Sequence, residues 1–449
     1  MPQNTALRRL NLAALALGMM TRAYAADPSS SQIQPVTASS PTGVSSILTL
    51  EDAFRISEST SPELQAARGV GRWTESRMDA ARIYPNPELG IRFEDLNSKL
   101  REKDASPGNI TVELTQAIEL GGKRSARIGL AAADSKTKNL ESALTTSRVR
   151  FEVAEAFFAV RLAQEKIELT NERLLLAKRL SEVAADRVKA GKIAPTEETR
   201  LRSSAALAAM ETEDASIRLR EARLKLAVAM GVEEGTVGAA EFDLENLGQE
   251  ASKEGLGTAL EASDALQLLN NKVGRALAEL DLERSRSYPD LVLVLEATYQ
   301  PFDERTVFAA GFNLPLPIFD RNQGGRGLAE VQTASATALL SKERQTLLRE
   351  FEEAHAALVS ARRKAQVLKN DILPGLEQGL SALETAYRQS RIGYLDVVES
   401  QESLFAVREK YNEALTSFHT AAFRIEYMLS TLTSDKGGGV SNSDNGVAR

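Results

Sequence analysis

The run Gly121-Gly122-Lys123-Arg124-Ser125 holds the ingredients of phosphate chemistry: paired glycines, a lysine and a hydroxyl. A phosphate loop also needs glycine at 117 and Ser or Thr at 124, to cradle phosphate and hold magnesium. Those positions are Ala117 and Arg124, so the nucleotide reading fails and the glycines need a backbone explanation. Metal and nucleophilic chemistry find no better footing. The chain has no cysteine, and its two histidines, His355 and His419, show neither zinc-ligand nor triad spacing. Beyond the N-terminal region the methionines Met78, Met210, Met230 and Met428 are scattered. The acidic pairs Glu197-Glu198 and Asp396/Glu399 stand on long helical segments that make no evident cleft. No catalytic, cofactor-binding or metal-ligating residue is assigned, and the chain does not read as an enzyme.

Composition narrows the class. Charged residues are 26% of the chain, too many for a bundle of membrane-spanning helices. The net charge of -7 argues against nucleic acid, whose phosphates need a basic face. Aromatic content of 5% suits long helices better than a large β core. Without cysteine, neither disulfides nor N-terminal lipidation on that residue can occur. Arg8 and Arg9, the apolar run 10–20 and Ala23-Tyr24-Ala25 make a secretory signal over residues 1–25, with cleavage after Ala25. Its apolar core is too short to span a bilayer, and no later run of 18 apolar residues follows. Residues 26–46 read as a flexible leader and 433–449 as a flexible tail.

The elements that must position any site come in two copies. Ser61, Leu64, Gln65, Arg82, Pro87 and Leu89 recur 202 positions later as Ser263, Leu266, Gln267, Arg284, Pro289 and Leu291. Ile118, Phe151, Glu152 and Ala156 recur at an offset of 200, and Ile193 at 199. The collinear order implies an internal duplication: repeat 1 over 47–231, an insert at 232–255 and repeat 2 over 256–432. Each repeat opens with a helix, Ser61 serving as N-cap before Pro62. Strands are expected at about 88–97 and 109–120, then 290–299 and 306–319, because apolar and polar residues alternate there. Proline is scarce afterwards, leaving Lys123–Val188 free to run as one helix of roughly 100 Å. Val153, Val160, Ile167 and Leu174 recur every seven residues, as do Leu162, Leu169, Leu176 and Val183. Two seams on nearly opposite sides suit either a stave in a wall or a helix inside a large bundle.

Four strands cannot close a barrel. Their length of about ten residues is enough to cross a bilayer when tilted. The residues thus leave two readings open: a small soluble sheet on helices, or strands that close only by oligomerising.

Six motifs carry a resemblance: "YPNPEL" at 84–89, "IELGGKRSARI" at 118–128, "AGKIAPTEET" at 190–199, "YPDL" at 288–291, "LPLPIFDRNQG" at 314–324 and "YLDVVESQESLF" at 394–405. Over about residues 47–430 the chain resembles the TolC-like outer-membrane efflux proteins. Within them, several of these motifs resemble the CzcC-type outer-membrane component of heavy-metal cation efflux. The resemblance implies a mainly α fold with a small β part. Long hairpins would form a trimeric periplasmic α-barrel, and four strands per chain would join one outer-membrane β-barrel. It implies a homotrimer in outer-membrane lipid, a periplasmic adaptor (membrane fusion) protein, and an inner-membrane pump of the resistance-nodulation-division type. The implied cargo is cobalt, zinc, cadmium or nickel. A periplasmic adaptor or coiled-coil scaffold, and a channel for organic substrates, are the rival readings.

By the same resemblance, hairpin tips fall at about 188–196 and 389–395, where Lys189, Gly191, Lys192, Arg388, Ser390, Arg391 and Gly393 would meet the adaptor. Ser390 stands where the pattern has glycine, which leaves that turn open between 390 and 393. Asp396 and Glu399 would ring the tunnel aperture in acid and favour cations, the alternative being a solvated helix face. Gly121 and Gly122 mark the strand-to-helix turn.

Overall fold

Helix dominates because breakers are rare where the chain must run long. In a computed structural model the described residues are 47–94, 108–248, 253–301, 303–389 and 391–430. All belong to one compact unit, Val44–Arg449. The signal, the leader and the tail lie outside the described residues.

Repeat 1 starts with the short strand β1 (Ile47–Leu48) and helices α1 (Leu50–Thr60), α2 (Pro62–Arg68) and α3 (Val70–Arg82). Ser61 sits at the N-cap of α2 with Pro62 next, but its side chain makes no capping bond. Its counterpart Ser263 does, accepting from the Leu266 amide. Strands β2 (Glu88–Phe93) and β3 (Ile110–Ile118) follow, then α4 (Lys123–Lys189) and α5 (Pro195–Met230). α4 is unbroken over 67 residues, one residue beyond the expected end. Its C-terminal half lies against α5, whose heptad-spaced alanines Ala208, Ala215 and Ala222 are buried.

The expected insert carries structure of its own. It holds β4 (Ala239–Ala240), which pairs in parallel with β1, and Val237 and Leu244 enter the main core. Helix α6 begins at Lys253 and runs to Glu261. Repeat 2 continues with α7 (Asp264–Ser285), β5 (Leu291–Gln300), β6 (Arg305–Asn313) and α8 (Gln323–Val367). A π-helical turn, Leu368–Ile372, separates α8 from α9 (Leu373–Arg388), and α10 (Tyr394–Met428) closes the chain. So the copies differ: one long helix in the first is two in the second. Pro374 stands at the start of α9, where its missing N–H would otherwise leave a carbonyl unpaired, and a π turn absorbs such a defect.

The strands form one antiparallel sheet in the order β2-β3-β5-β6. The strand expected to end at 319 stops at Asn313, because Pro315 and Pro317 cannot donate to a ladder. The strand expected over 88–97 stops at Phe93, and 95–97 lie outside the described residues. The two seams of α4 part company as well. Val153 and Val160 are fully buried, Leu169 is buried, and Val183 is exposed.

Candidate functional site

The sheet has two chemically distinct faces, fixed by register. On one, Leu89, Leu114, Leu295 and Ala310 lie abreast, as do Ile91, Val112, Ala297 and Phe308. Most of this apolar face is exposed, with Phe308 81% and Leu295 55% accessible. On the other face, Gly90, Glu113, Glu296 and Ala309 lie abreast, and so do Arg92, Thr111, Thr298 and Val307. Arg92 donates to Glu113 at 3.1 Å, and the hydroxyls of Thr111 and Thr298 bond at 2.9 Å. Among the described residues, the outer strands β2 and β6 each keep an unpaired edge. An apolar outside, a polar inside and two open edges describe an arc of a barrel that further strands must complete.

The strand-to-helix turn is set by Gly121 and Gly122, both left-handed at φ 69° and 74°. A side chain on Gly121 would stand 2.5 Å from Cβ of Tyr288, so only glycine allows this approach. Lys123 does not reach for phosphate. Its Nζ bonds Asp290 at 2.7 Å, and the Leu120 amide donates to the same carboxylate at 3.2 Å. Arg124 lies 4.4 Å over the Tyr84 ring. In repeat 2 the position equivalent to Gly122 is Asn322, left-handed at φ 54°. Its Nδ2 donates to the Glu283 backbone carbonyl at 2.8 Å. Gly324 and Gly325 therefore do not turn the chain there; they lie in the first turn of α8.

At the other end, the first hairpin tip closes with a Schellman motif. The Lys192 amide donates to the Arg187 carbonyl and the Gly191 amide to Val188, both at 2.9 Å, with Gly191 at φ 66°. The second tip repeats the defining bond, Arg391 amide to Ala386 carbonyl at 2.9 Å. Position 390 is thus the counterpart of Gly191. Ser390 itself and the Arg388 side chain lie outside the described residues. Gly393 is the N-cap of α10 in extended backbone, φ −75° and ψ 160°, and does no left-handed turning. Lys189, Lys192 and Arg391 are exposed, Lys189 facing Asp186 at 3.4 Å. The tips are tied together: Arg187 donates to the Tyr387 carbonyl at 3.0 Å and lies 4.3 Å over its ring. Ile193 and Ile392 pack with Leu180, Leu201 and Val397 beneath.

Asp396 and Glu399 are both exposed in the first turns of α10, either side of the fully buried Val397. At i and i+3 they share a helix face. Neither enters an ion pair among the described residues. Asp396 also complements the helix dipole, so part of its role is structural.

The strap built by the insert leaves little trace in the residue pattern. Lys369 in the π turn bonds Glu245 at 2.8 Å, Tyr411 donates to Glu245 at 3.2 Å, and Arg362 donates to the Gly248 carbonyl at 2.8 Å. Lys369 holds the Glu245 carboxyl below its usual range, and burial pushes the Tyr411 phenol up. His419 lies within 5.4 Å of the rings of Phe158, Phe242 and Phe418, with Nε2 3.0 Å from the Leu244 carbonyl. Burial pushes its pKa down. It is a core residue that pins the insert. The apolar residues Phe242, Leu244 and Leu247 in an otherwise polar stretch were the signal available in the sequence.

Comparison with known proteins gives concordant findings. The family model described as "Outer membrane efflux protein" matches residues 54–232 and again 255–430. The cobalt-zinc-cadmium resistance protein CzcC of Cupriavidus metallidurans is 34% identical over 85% of this chain and 90% of its own length. The nickel-cobalt-cadmium resistance protein NccC of Alcaligenes xylosoxydans xylosoxydans is 28% identical over 59% of this chain and 60% of its own. Among solved structures, CusC aligns with TM-score 0.72 at 15% identity, covering 85% of this chain and 91% of that one. VceC of Vibrio cholerae aligns with TM-score 0.70 at 17% identity, covering 85% and 95%. These two likenesses concern the fold alone.

Proposed function

The chain belongs to the outer membrane efflux protein family, and on that premise we propose that it is the outer-membrane channel of a divalent heavy-metal efflux system. The observation that carries the reading is the sheet, with its apolar face, polar face and two open edges, mounted on hairpins of exceptional length. Lipid tolerates a sheet only when its edges are closed. Three copies in a ring would supply twelve strands, within the range of outer-membrane barrels. The polar face then lines the pore, and the helices continue it as a periplasmic tunnel.

Cobalt, zinc, cadmium or nickel is the cargo this reading assigns, by analogy with the named relatives. The protein conducts the ion rather than selecting it: His419, the histidine best placed in the core, is enclosed by phenylalanines and bound to a carbonyl. Lys189, Gly191, Lys192 and Arg391 present the tips to a periplasmic adaptor, which links them to a proton-driven pump. Asp396 and Glu399 from three copies form a negative ring that favours cations in transit.

The test is fractionation followed by sizing in detergent, paired with metal tolerance of cells lacking the protein. Recovery in the outer membrane as a three-copy assembly, with lowered tolerance in the deletion, is the expected result. A soluble periplasmic monomer would instead favour an adaptor or scaffold. Sensitivity to organic compounds without any change toward metals would replace the cargo.

A further inference from the structure

A cavity of about 300 Å³ lies on the side of the helices opposite the strap, walled by α4, α5 and α10. Its floor is apolar. Leu162, Ala163 and Leu169 come from α4, and Ala215 and Ala222 from α5. Leu169, Ala215 and Ala222 are buried. On α10 the cavity residues Glu409 and Glu413 stand two positions either side of Tyr411, which bonds the strap. Two positions are a turn of about 200°, so cavity and strap occupy opposite sides of α10. The same offset on α4 separates Leu162 and Lys166 from Gln164, whose Oε1 accepts from the Ala240 amide of the insert. Small-molecule sites have volumes of about 300–1,000 Å³, apolar linings and a few placed polar groups, and they recur between the helices of bundles.

The rim is largely sorted by sign. α5 contributes Arg218 and Lys225, seven residues apart on one face, with Glu221 between them. α10 contributes Glu409 and Glu413. Lys166 of α4 bonds Glu409 at 2.6 Å. Among the described residues, no ion pair joins α5 to α10 across the cavity, and Arg218, Lys225 and Glu413 are exposed. Toward the tips the arrangement changes. Arg173 of α4 bonds Glu211 of α5 at 2.7 Å and Glu402 of α10 at 3.4 Å. That double bridge crosses the groove one turn past Leu169 and gives the cavity an end wall. A wholly anionic guest would meet Glu409 and Glu413, and a wholly cationic one Arg218 and Lys225. A guest carrying both charges satisfies both edges and lays its apolar body on the floor.

We propose that this cavity binds a zwitterionic amphiphile with a short apolar chain. Its anionic group lies on Arg218 and Lys225, its cationic group faces Glu413, and its chain covers Leu162, Ala163 and Ala222. α4 and α5 form one hairpin and α10 belongs to the other. The guest therefore ties the two hairpins of a chain at a level where α5 and α10 make no ion pair of their own. The site depends on the helices alone and stands apart from the outer-membrane reading.

The experiment uses the full chain, assembled and kept soluble in an amphipathic polymer, with an octyl sulfobetaine below its micelle concentration as the ligand. Isothermal titration calorimetry should show saturable binding to the wild type. Uptake by the polymer or by the apolar face of the sheet is common to all variants, so the site is read as the difference between them. Arg218→Glu with Lys225→Glu makes both edges acidic without touching the packed floor. Affinity for the sulfobetaine should then fall about tenfold, and octyltrimethylammonium should bind saturably in its place. Ala159→Leu, at the exposed mouth of the cavity, should weaken the sulfobetaine by occupying its space. Octyl glucoside, whose head is uncharged, should not saturate any variant. No saturable sulfobetaine binding to the wild type overturns the site. Equal sulfobetaine affinity in the wild type and both variants places the binding elsewhere and overturns it too. Saturable octyl glucoside binding to the wild type overturns the zwitterion assignment.

Discussion

Replacing Gly121 with alanine tests whether the strand-to-helix turn is a steric necessity. Two costs add at this position. The left-handed backbone, φ 69°, costs a non-glycine residue about 1–2 kcal/mol. The new Cβ would also lie 2.5 Å from Cβ of Tyr288 and 2.6 Å from its ring, so one of the two segments must shift. Overpacking of that kind costs about 1–3 kcal/mol. The sum is roughly 2–5 kcal/mol in every copy. Gly122 supplies the control. Its φ is 74°, but a Cβ there meets only the Ser125 hydroxyl at 3.2 Å, which can rotate away. Gly122→Ala should therefore cost about 1–2 kcal/mol, and Gly122→Asn less, since repeat 2 places Asn322 in the same conformation. The readout is the temperature at which the detergent-solubilised assembly dissociates on a semi-native gel, with the amount reaching the outer membrane. Adding Tyr288→Gly to Gly121→Ala should recover the steric part and leave the backbone part. If Gly121→Ala dissociates no earlier than Gly122→Ala, the reasoning from contact is wrong.

Three further outcomes follow from other parts of the molecule. Leu295→Arg, on the apolar face, should lower outer-membrane recovery by about 2–4 kcal/mol of insertion energy; Thr298→Arg, on the polar face, should insert normally by the same fractionation assay. Asp396→Asn together with Glu399→Gln should reduce cation preference in single-channel recordings, and unchanged selectivity would remove these residues from the aperture. His419 is held neutral by burial, so its folded pKa lies below the ordinary value of about 6.5. The folded state then binds fewer protons than the unfolded one, and stability present above about pH 6.5 is lost as pH falls below it. Thermal unfolding across pH 4.5–7.5, on the order of that window, should show this slope in the wild type and less of it in His419→Phe.

The repeat and the long helix were legible because both rest on what the residues forbid or repeat. No proline interrupts Lys123–Lys189, and the collinear matches place both strand pairs and both tips within a few residues. The misjudged strand end at 313 was legible too, since Pro315 and Pro317 remove donors; alternation of side chains simply continues past the ladder. Other features depend on tertiary partners. Ser61 and Ser263 occupy the same place in each repeat, yet only Ser263 makes its capping bond. The insert at 232–255 was legible only as the stretch between the copies; Leu244 and Phe242 gain meaning only once α10 brings His419 to them. The second tip was ambiguous because glycine marks two different things. At Gly191 it answers a left-handed φ, whereas Gly393 is an extended residue that alanine could replace.

The unpaired edges of β2 and β6 have a consequence for assembly order. A single copy cannot enter lipid with those edges open, so membrane insertion waits on encounter between copies and is sensitive to their concentration. In the three-copy ring proposed above, each copy offers one β2 edge and one β6 edge to different neighbours, a head-to-tail contact. A copy damaged at one edge still presents a sound one, joins the ring and prevents its closure. Edge variants should thus act dominantly over coexpressed wild type, whereas variants that unfold the whole chain should be recessive.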